Sequence, residues 1–242
     1  MRLAYIVSTL NQCGPVNVLY DIIANLHADN EIAVFTLASE PKESRAKDFE
    51  ELGVAVKCVV RNRGQSLLFG TQALGNVLKT FHPDVVHVHG FRATLLCQNL
   101  PYPKVATVHN CIYEDYLTTY GKIRASWMAR AEVFALKKFD EIVACSESNA
   151  RYLRDQFGLT VSIVRNGVDQ SKFFPLAVAS RDRLRVELGI KPDVLMFVAT
   201  GGCSEWKGTI PLVEAFSAAR ETVNSDAELH IFGGGPELER CK

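Results

Sequence analysis

The sequence predicts an α/β fold: one complete Rossmann-like, doubly wound, mostly parallel sheet, then the beginning of a second α/β unit. Three observations predict it. Short apolar runs alternate with stretches of helical spacing along most of the 242 residues, as in successive βαβ units. Many of those runs lack a clean in–out alternation, as expected of strands covered on both faces. After a break, apolar runs at 194–199 and 227–233 restart the pattern, the second ending in Gly233-Gly234-Gly235.

Each element has its own signal. Residues 3–8 read as the first strand. Pro15 then takes a first-turn position, and Val18, Leu19, Ile22, Ile23 and Leu26 follow at helical spacing. Further strands are read at 31–37, 54–60, 84–89, 104–108, 141–145 and 161–164. Helices are read at 42–52, 66–81, 121–138 and 147–157. The segment 171–182 carries Pro175 and small residues, and a new helical pattern starts at about 181. The domain boundary is placed near residue 175, giving a first domain of 1–175 and a second of 176–242. A usual second lobe has ~100–150 residues, so about half of one is expected here and the chain reads as a fragment.

Composition narrows the function. Lys plus Arg equals Asp plus Glu, 27 each, which gives no electrostatic reason to expect nucleic acid. It leaves room for a local basic patch suited to an anionic substrate or a peripheral membrane contact. No run approaches the ~20 apolar residues of a membrane span. Met1 to Val7 looks like the start of a signal peptide. Asn11 and Gln12 interrupt it, however, and no small-residue cleavage site follows, so a buried strand is the better reading. Seven cysteines without a CxxC pair read as reduced thiols, and so as a cytoplasmic protein.

Ligands of open α/β sheets sit beyond the carboxyl ends of the strands, which directs attention to strand ends. The first strand ends in Ser8-Thr9-Leu10-Asn11-Gln12-Cys13-Gly14-Pro15, directly before a helix. Such a turn aims backbone N–H groups at phosphate or a sugar oxygen, although it is not the GxGxxG pattern. His87 and His89 share a face at the end of Asp84–Gly90. His109 ends the run Thr107-Val108-His109. Three histidines raise the question of a metal, but no acid or cysteine stands at a metal-site spacing, and no metal is expected. His87 reads as a packed structural residue. His109 reads as functional, because it leads into a polar-aromatic loop from Cys111 to Gly121, carrying Tyr113, that would shape an acceptor pocket or form a lid. Asn166-Gly167-Val168-Asp169 reads as a turn. Lys207, at a helix entry after Gly201-Gly202-Cys203, is suited to neutralising phosphate.

As an ordered set, these pieces resemble the retaining family 4 (glycosyltransferase group 1) enzymes of the GT-B fold. The set comprises the Gly14 loop, Asp84–His89, Thr107–His109, Ala144-Cys145-Ser146, Asn166–Asp169, Lys207-Gly208 and Phe232-Gly233-Gly234-Gly235-Pro236. The resemblance implies an N-terminal acceptor-side domain, a C-terminal nucleotide-sugar domain and transfer to a glycan or lipid-linked acceptor, with no bound metal or other cofactor. It implies that Gly14 lies near the donor phosphates, that His109 is the catalytic residue beside the transferred sugar and that Lys207 holds the diphosphate. Asn11, His89 and Tyr113 fall on the acceptor side. The chain departs from the family at three places. Cys13-Gly14 stands where two glycines are common. Gly202 stands where an arginine usually precedes the lysine by five residues. The family's E-x7-E donor segment would lie beyond Lys242. Two other readings stay open: a nucleotide-sugar epimerase of the same architecture, and a non-enzymatic acceptor-binding subunit completed by a partner chain that supplies the missing lobe.

Overall fold

Apolar runs as short as those above hold as strands only when neighbouring strands complete their hydrogen bonds, and the chain provides this with a parallel sheet. The computed structural model describes residues 1–60, 63–222 and 226–241. Of the second domain expected from sequence, 223–225 and Lys242 lie outside the described residues. The chain divides into two units, Met1–Asp169 and Gln170–Lys242.

Unit 1 runs β1 (Arg2–Val7), α1 (Gly14–Leu26), β2 (Glu31–Thr36), α2 (Ala46–Glu51), β3 (Ala55–Cys58), α3 (Arg63–Phe81), β4 (Val85–His89), α4 (Phe91–Cys97), β5 (Lys104–Val108), α5 (Ile112–Tyr120), α6 (Lys122–Leu136), β6 (Glu141–Ala144), α7 (Glu147–Phe157) and β7 (Ser162–Ile163). The sheet order is β3-β2-β1-β4-β5-β6-β7, and each neighbouring pair is parallel. This is a doubly wound order. Winding reverses between β1 and β4, and that reversal opens a crevice at the carboxyl edge.

Strand alternation sorts the core into two layers. Ala4 and Ile6 of β1 join Val86, Val88, Leu74, Leu78, Leu136 and Leu153 on one face. Tyr5 and Val7 join Val34, Leu19, Ile23 and Phe49 on the other. Because both faces are covered, the strands carry continuous apolar runs, as the sequence pattern implied.

The expected loop from Cys111 to Gly121 is instead helical: α5 spans Ile112–Tyr120. The physical reasons lie in the same residues. Glu114 and Asp115 occupy the first turn, where the helix dipole favours acids. Ile112 and Tyr116, four apart, bury one face. Gly121, at φ 75°, ends α5 and starts α6. Tyr116, whose hydroxyl made the segment read as polar, is buried with Ile112 on this face. The short helix α4 was not anticipated either.

Unit 2 runs α8 (Val178–Glu187), β8 (Leu195–Thr200), α9 (Thr209–Thr222), β9 (Ala227–Phe232) and α10 (Leu238–Cys241). β8 and β9 pair in parallel. A 3-10 turn, Glu205–Lys207, enters α9 and ends at Gly208 with φ 64°. The loop after β8 meets the loop after β9, with Cys203 N–H donating to Gly234 C=O at 3.0 Å. A Cβ on Gly233 or Gly235 would collide with the backbone of Gly201 or Cys203, so this approach requires glycine. Among the described residues, no helix is long and apolar enough to cross a membrane.

Candidate active site

A cavity of about 350 Å³ opens at the carboxyl ends of β1, β4 and β5, at the point where the sheet reverses. Its wall is built from three strand ends: Ser8, Thr9, Asn11 and Cys13 after β1, His89 and Gly90 at β4, and His109 and Asn110 after β5. Pro15 and Val16 bring the start of α1 to the same wall. α5 and α6 add Asp115, Tyr116 and Glu132.

The loop after β1 is held from outside. The Glu40 carboxylate accepts from Leu10 N–H at 2.9 Å and from the Ser44 hydroxyl at 2.5 Å. Asn11 bridges to Ser44, and Arg45 N–H donates to Leu10 C=O at 2.8 Å. α1 then starts without a side-chain cap: Cys13 occupies the N-cap, and its side chain makes no capping bond. In α7, by contrast, the Ser146 hydroxyl accepts from Asn149 N–H at 3.2 Å. An uncapped helix start leaves N–H groups and the positive end of the dipole available to an anion. At Gly14 a Cβ would meet no atom within 4 Å, so packing does not demand glycine there.

β4 and β5 align the histidines. Register pairs Tyr5 with His87, Val7 with His89, and His89 with Thr107. His87 and His89 face the same side, with ring centroids 4.6 Å apart, and the His89 and His109 rings stack at 5.1 Å. His87 Nε2 shares a hydrogen bond with the Thr107 hydroxyl at 2.7 Å. His89 Nδ1 lies 2.8 Å from His109 Nε2, and His109 Nδ1 lies 3.3 Å from Cys145 Sγ. One imidazole must donate to the other, so the tautomers of His89 and His109 are linked, with Cys145 at the end of the chain. His89 Nε2 is buried and has no hydrogen-bond partner among the described residues.

Burial keeps this row neutral. His109 is pushed from its usual value down to about 4 by desolvation. His87 also falls to about 4, through burial and then repulsion from His109. His89 lies well below its usual value, through burial and then repulsion from His87 and His109. Across the cavity, the Tyr116 hydroxyl donates to Glu132 at 2.5 Å and Asn110 donates to Asp115 at 2.6 Å. Burial and the nearby Asp115 raise Glu132 to about 7, against the opposing effect of the Tyr116 bond. Desolvation also raises Asp115. Among the described residues, no group of three His, Cys, Asp or Glu side chains is arranged to hold a metal ion.

Of the residues singled out from sequence, Asn11, His89 and His109 line the cavity, and Gly14 sits between the lining residues Cys13 and Pro15. Tyr113 lies on α5 outside the lining; its backbone N–H donates to the Tyr152 hydroxyl at 3.1 Å. Lys207 is an exposed residue of unit 2, at the 3-10 turn before α9. Sequence reasoning expected the segment Cys111–Gly121 to shape a pocket without naming Asp115 or Tyr116, and it missed Glu132. Glu132 had a signal: it is an acid on the face that carries Ala125, Ala129, Val133 and Leu136, where a charged group needs a purpose or a partner.

The chain is similar to two kinds of known protein. An O-antigen biosynthesis glycosyltransferase, WclY of Escherichia coli, is 27% identical over 246 residues, covering 99% of this chain and 63% of the relative. The mannosylfructose-phosphate synthase of Agrobacterium fabrum is 26% identical over 111 residues, covering 45% of this chain and 24% of that protein. The chain therefore spans less than two thirds of the length of the curated relatives it matches. Among solved structures, Anabaena HepE in complex with UDP and glucose aligns with a TM-score of 0.74 at 16% identity, covering 99% of this chain and 63% of that one. A lipopolysaccharide outer core galactosyltransferase, WaaB, aligns at 0.63 and 18%, covering 100% and 63%. These likenesses give the fold as GT-B. The Glycosyltransferase Family 4 profile matches residues 13–172, two thirds of the chain, and the chain belongs to that family.

Proposed function

We propose that the protein transfers a sugar from a nucleotide-sugar donor to a glycan or lipid-linked acceptor, with retention of anomeric configuration, in cell-surface polysaccharide synthesis at the cytoplasmic face of the membrane. Family membership supports transfer. The O-antigen relative supports the pathway class, and the UDP and glucose bound to HepE support the donor class. The observation that carries the reading is the uncapped start of α1 beside a neutral histidine row, in the crevice where the sheet reverses. The reaction is proposed for a protein of its relatives' full length, with residues 176–242 belonging to the donor side.

The chemistry follows from charge. A glycosyl transition state develops positive charge on the sugar and negative charge on the departing diphosphate. Positive groups belong at the phosphates: the α1 N-terminus, with Gly14 leaving room for close approach, and Lys207. A cation beside the sugar would oppose its developing charge, and the neutral His109 avoids that. Both ring nitrogens of His109 are already bonded, so a sugar hydroxyl must displace one partner. The weak sulfur contact to Cys145 is the one that yields. Asn11 and His89 are assigned to the acceptor side, and Tyr113 acts there through the packing of α5.

The test pairs turnover with thermal melting in a protein of full length. His109→Ala should cut transfer at least ~100-fold, as loss of a group that contacts the transition state does, with little change in melting. Equal losses in both would make His109 a packing residue. Lys207→Ala should chiefly weaken donor use, and unchanged donor kinetics would remove it from the site. Release of an isomerised donor without an acceptor product would favour an epimerase.

A further inference from the structure

Helix α6 is apolar on two faces. Ala125, Ala129, Val133 and Leu136 pack into the core of unit 1. Ile123, Trp127 and Phe134 form a second stripe on the outside, 89%, 67% and 63% exposed. Their spacing of i, i+4 and i+11 puts them on one line ~16 Å long, with Arg130 at i+7 completing it. A helix that is apolar all round is normally covered. On α6 the inner face packs against α4 and α5 within the unit, and the outer face remains open.

Charge identifies what covers that face. From Tyr116 to Phe139, every exposed charged side chain is a cation: Lys122, Arg124, Arg130, Lys137 and Lys138. The one acid in that stretch, Glu132, is buried. On the neighbouring α5, Glu114 and Asp115 are half-buried, and the next exposed acid is Asp140, beyond the end of the helix. In a chain with equal totals of acids and bases, this is a marked local excess. The Lys138 ammonium lies 4.8 Å from the centre of the Phe134 ring and donates to Asn99 Oδ1 at 2.9 Å, so a cation borders the apolar stripe, as long cations do at a membrane interface.

We infer that the outer face of α6 docks on an anionic lipid bilayer. Ile123, Trp127 and Phe134 enter the boundary between headgroups and acyl chains, and the five cations meet lipid phosphates. Tryptophan suits that boundary through its amphipathic ring. A protein partner fits the face less well. Three apolar side chains fall far short of the roughly 20–30 residues a side of a stable interface, and lysine is depleted in such interfaces. The inference does not depend on the transfer reaction.

The test sediments the protein with vesicles of phosphatidylcholine alone and of phosphatidylcholine mixed with phosphatidylglycerol. Binding is expected on the mixed vesicles and should fall at least ~10-fold on the neutral ones or in high salt. In a Trp206→Phe background, Trp127 fluorescence should shift to the blue on binding. The double variant Trp127→Ser/Phe134→Ser and the double variant Arg124→Glu/Lys137→Glu should each lower partitioning ~10-fold at an unchanged melting temperature. If the serine variant melts early, the charge reversal alone decides. The inference is overturned by no vesicle binding, by binding that both variants retain, or by a dimer in sedimentation velocity that Trp127→Ser dissociates.

Discussion

Unit 1 and unit 2 start with the same device, an apolar strand that feeds a helix and returns to a parallel neighbour. In unit 1 the device repeats until a seven-stranded sheet is built whose central strands are covered on both faces, and Phe35 and Ile6 are buried. In unit 2 two strands pair, and Leu195, Phe197, Val198 and Phe232 stay exposed. Among the described residues, the buried apolar side chains of unit 2 are Ile190, Val194, Cys203 and Ala227. Similar local sequence thus leads to very different cooperative structure. A strand gains little from its own residues; its stability comes from the neighbours that cover it.

The largest expected effect tests that contrast directly. Amides of β1, β4 and β5 should exchange at least ~1000-fold more slowly than those of β8 and β9, because local opening ranges from near zero to the global stability. Strong protection across 194–241 in a monomer would break the comparison.

Point substitutions sharpen it. Phe35→Ala should cost about 3–5 kcal/mol, the usual loss for a fully buried phenylalanine. Phe197→Ala, at 47% exposure, should cost at most ~1.5 kcal/mol. Urea unfolding followed separately for the two units measures both. Equal costs would mean that the exposed strand faces of unit 2 are covered in solution.

Proton linkage separates groups within unit 1. The histidine row has folded values below the unfolded one. The contribution of His87 and His109 is therefore complete above pH ~6.5 and is lost as pH falls through about 4, at up to about 1.4 kcal/mol per pH unit for each of the two rings. Glu132 has the opposite sign. Its folded value near 7 lies above the unfolded one, so its contribution is present below pH ~4.5 and is lost as pH rises through 7. The two slopes oppose each other between these limits. Glu132→Gln should steepen the loss of melting temperature from pH 7 to pH 5, and His87→Leu should flatten it. Identical profiles in both variants would place the titration elsewhere.

The smallest stability effect belongs to Gly14→Ala. A Cβ there meets open space, so stability should stay level or rise by at most ~1 kcal/mol. Donor affinity should nonetheless fall if phosphate approaches the α1 backbone. Donor titration beside thermal melting checks this, and unchanged affinity would free Gly14 from the site.

Local signals reached far along the chain. Both-face burial was readable in runs such as Val85–Val88, and Pro15 marked the first turn of α1. Signals failed where amphipathic residues blurred the period. Tyr116 and Tyr120 made α5 look like a loop, yet Tyr116 is buried against the Glu132 carboxylate. The site was legible as strand ends, through Asn11, His89 and His109, because open sheets bind at their carboxyl edge. Its chemistry was less legible: Asp115 and Glu132 reach the cavity from helices, with no motif to announce them.

By itself, the sequence determined the period of each element, the spacing that puts His87 and His89 on one face, and the glycines of the turns. Only the tertiary structure decided which strands became neighbours. β4 lies beside both β1 and β5, and that order brings His89 to 2.8 Å from His109 and Cys145 to the far side of the His109 ring. The physical reason is range. Periodicity and capping act within a few residues of the chain, whereas the partner of a strand, and with it the neutrality of a buried imidazole, depends on which distant segment excludes water from it.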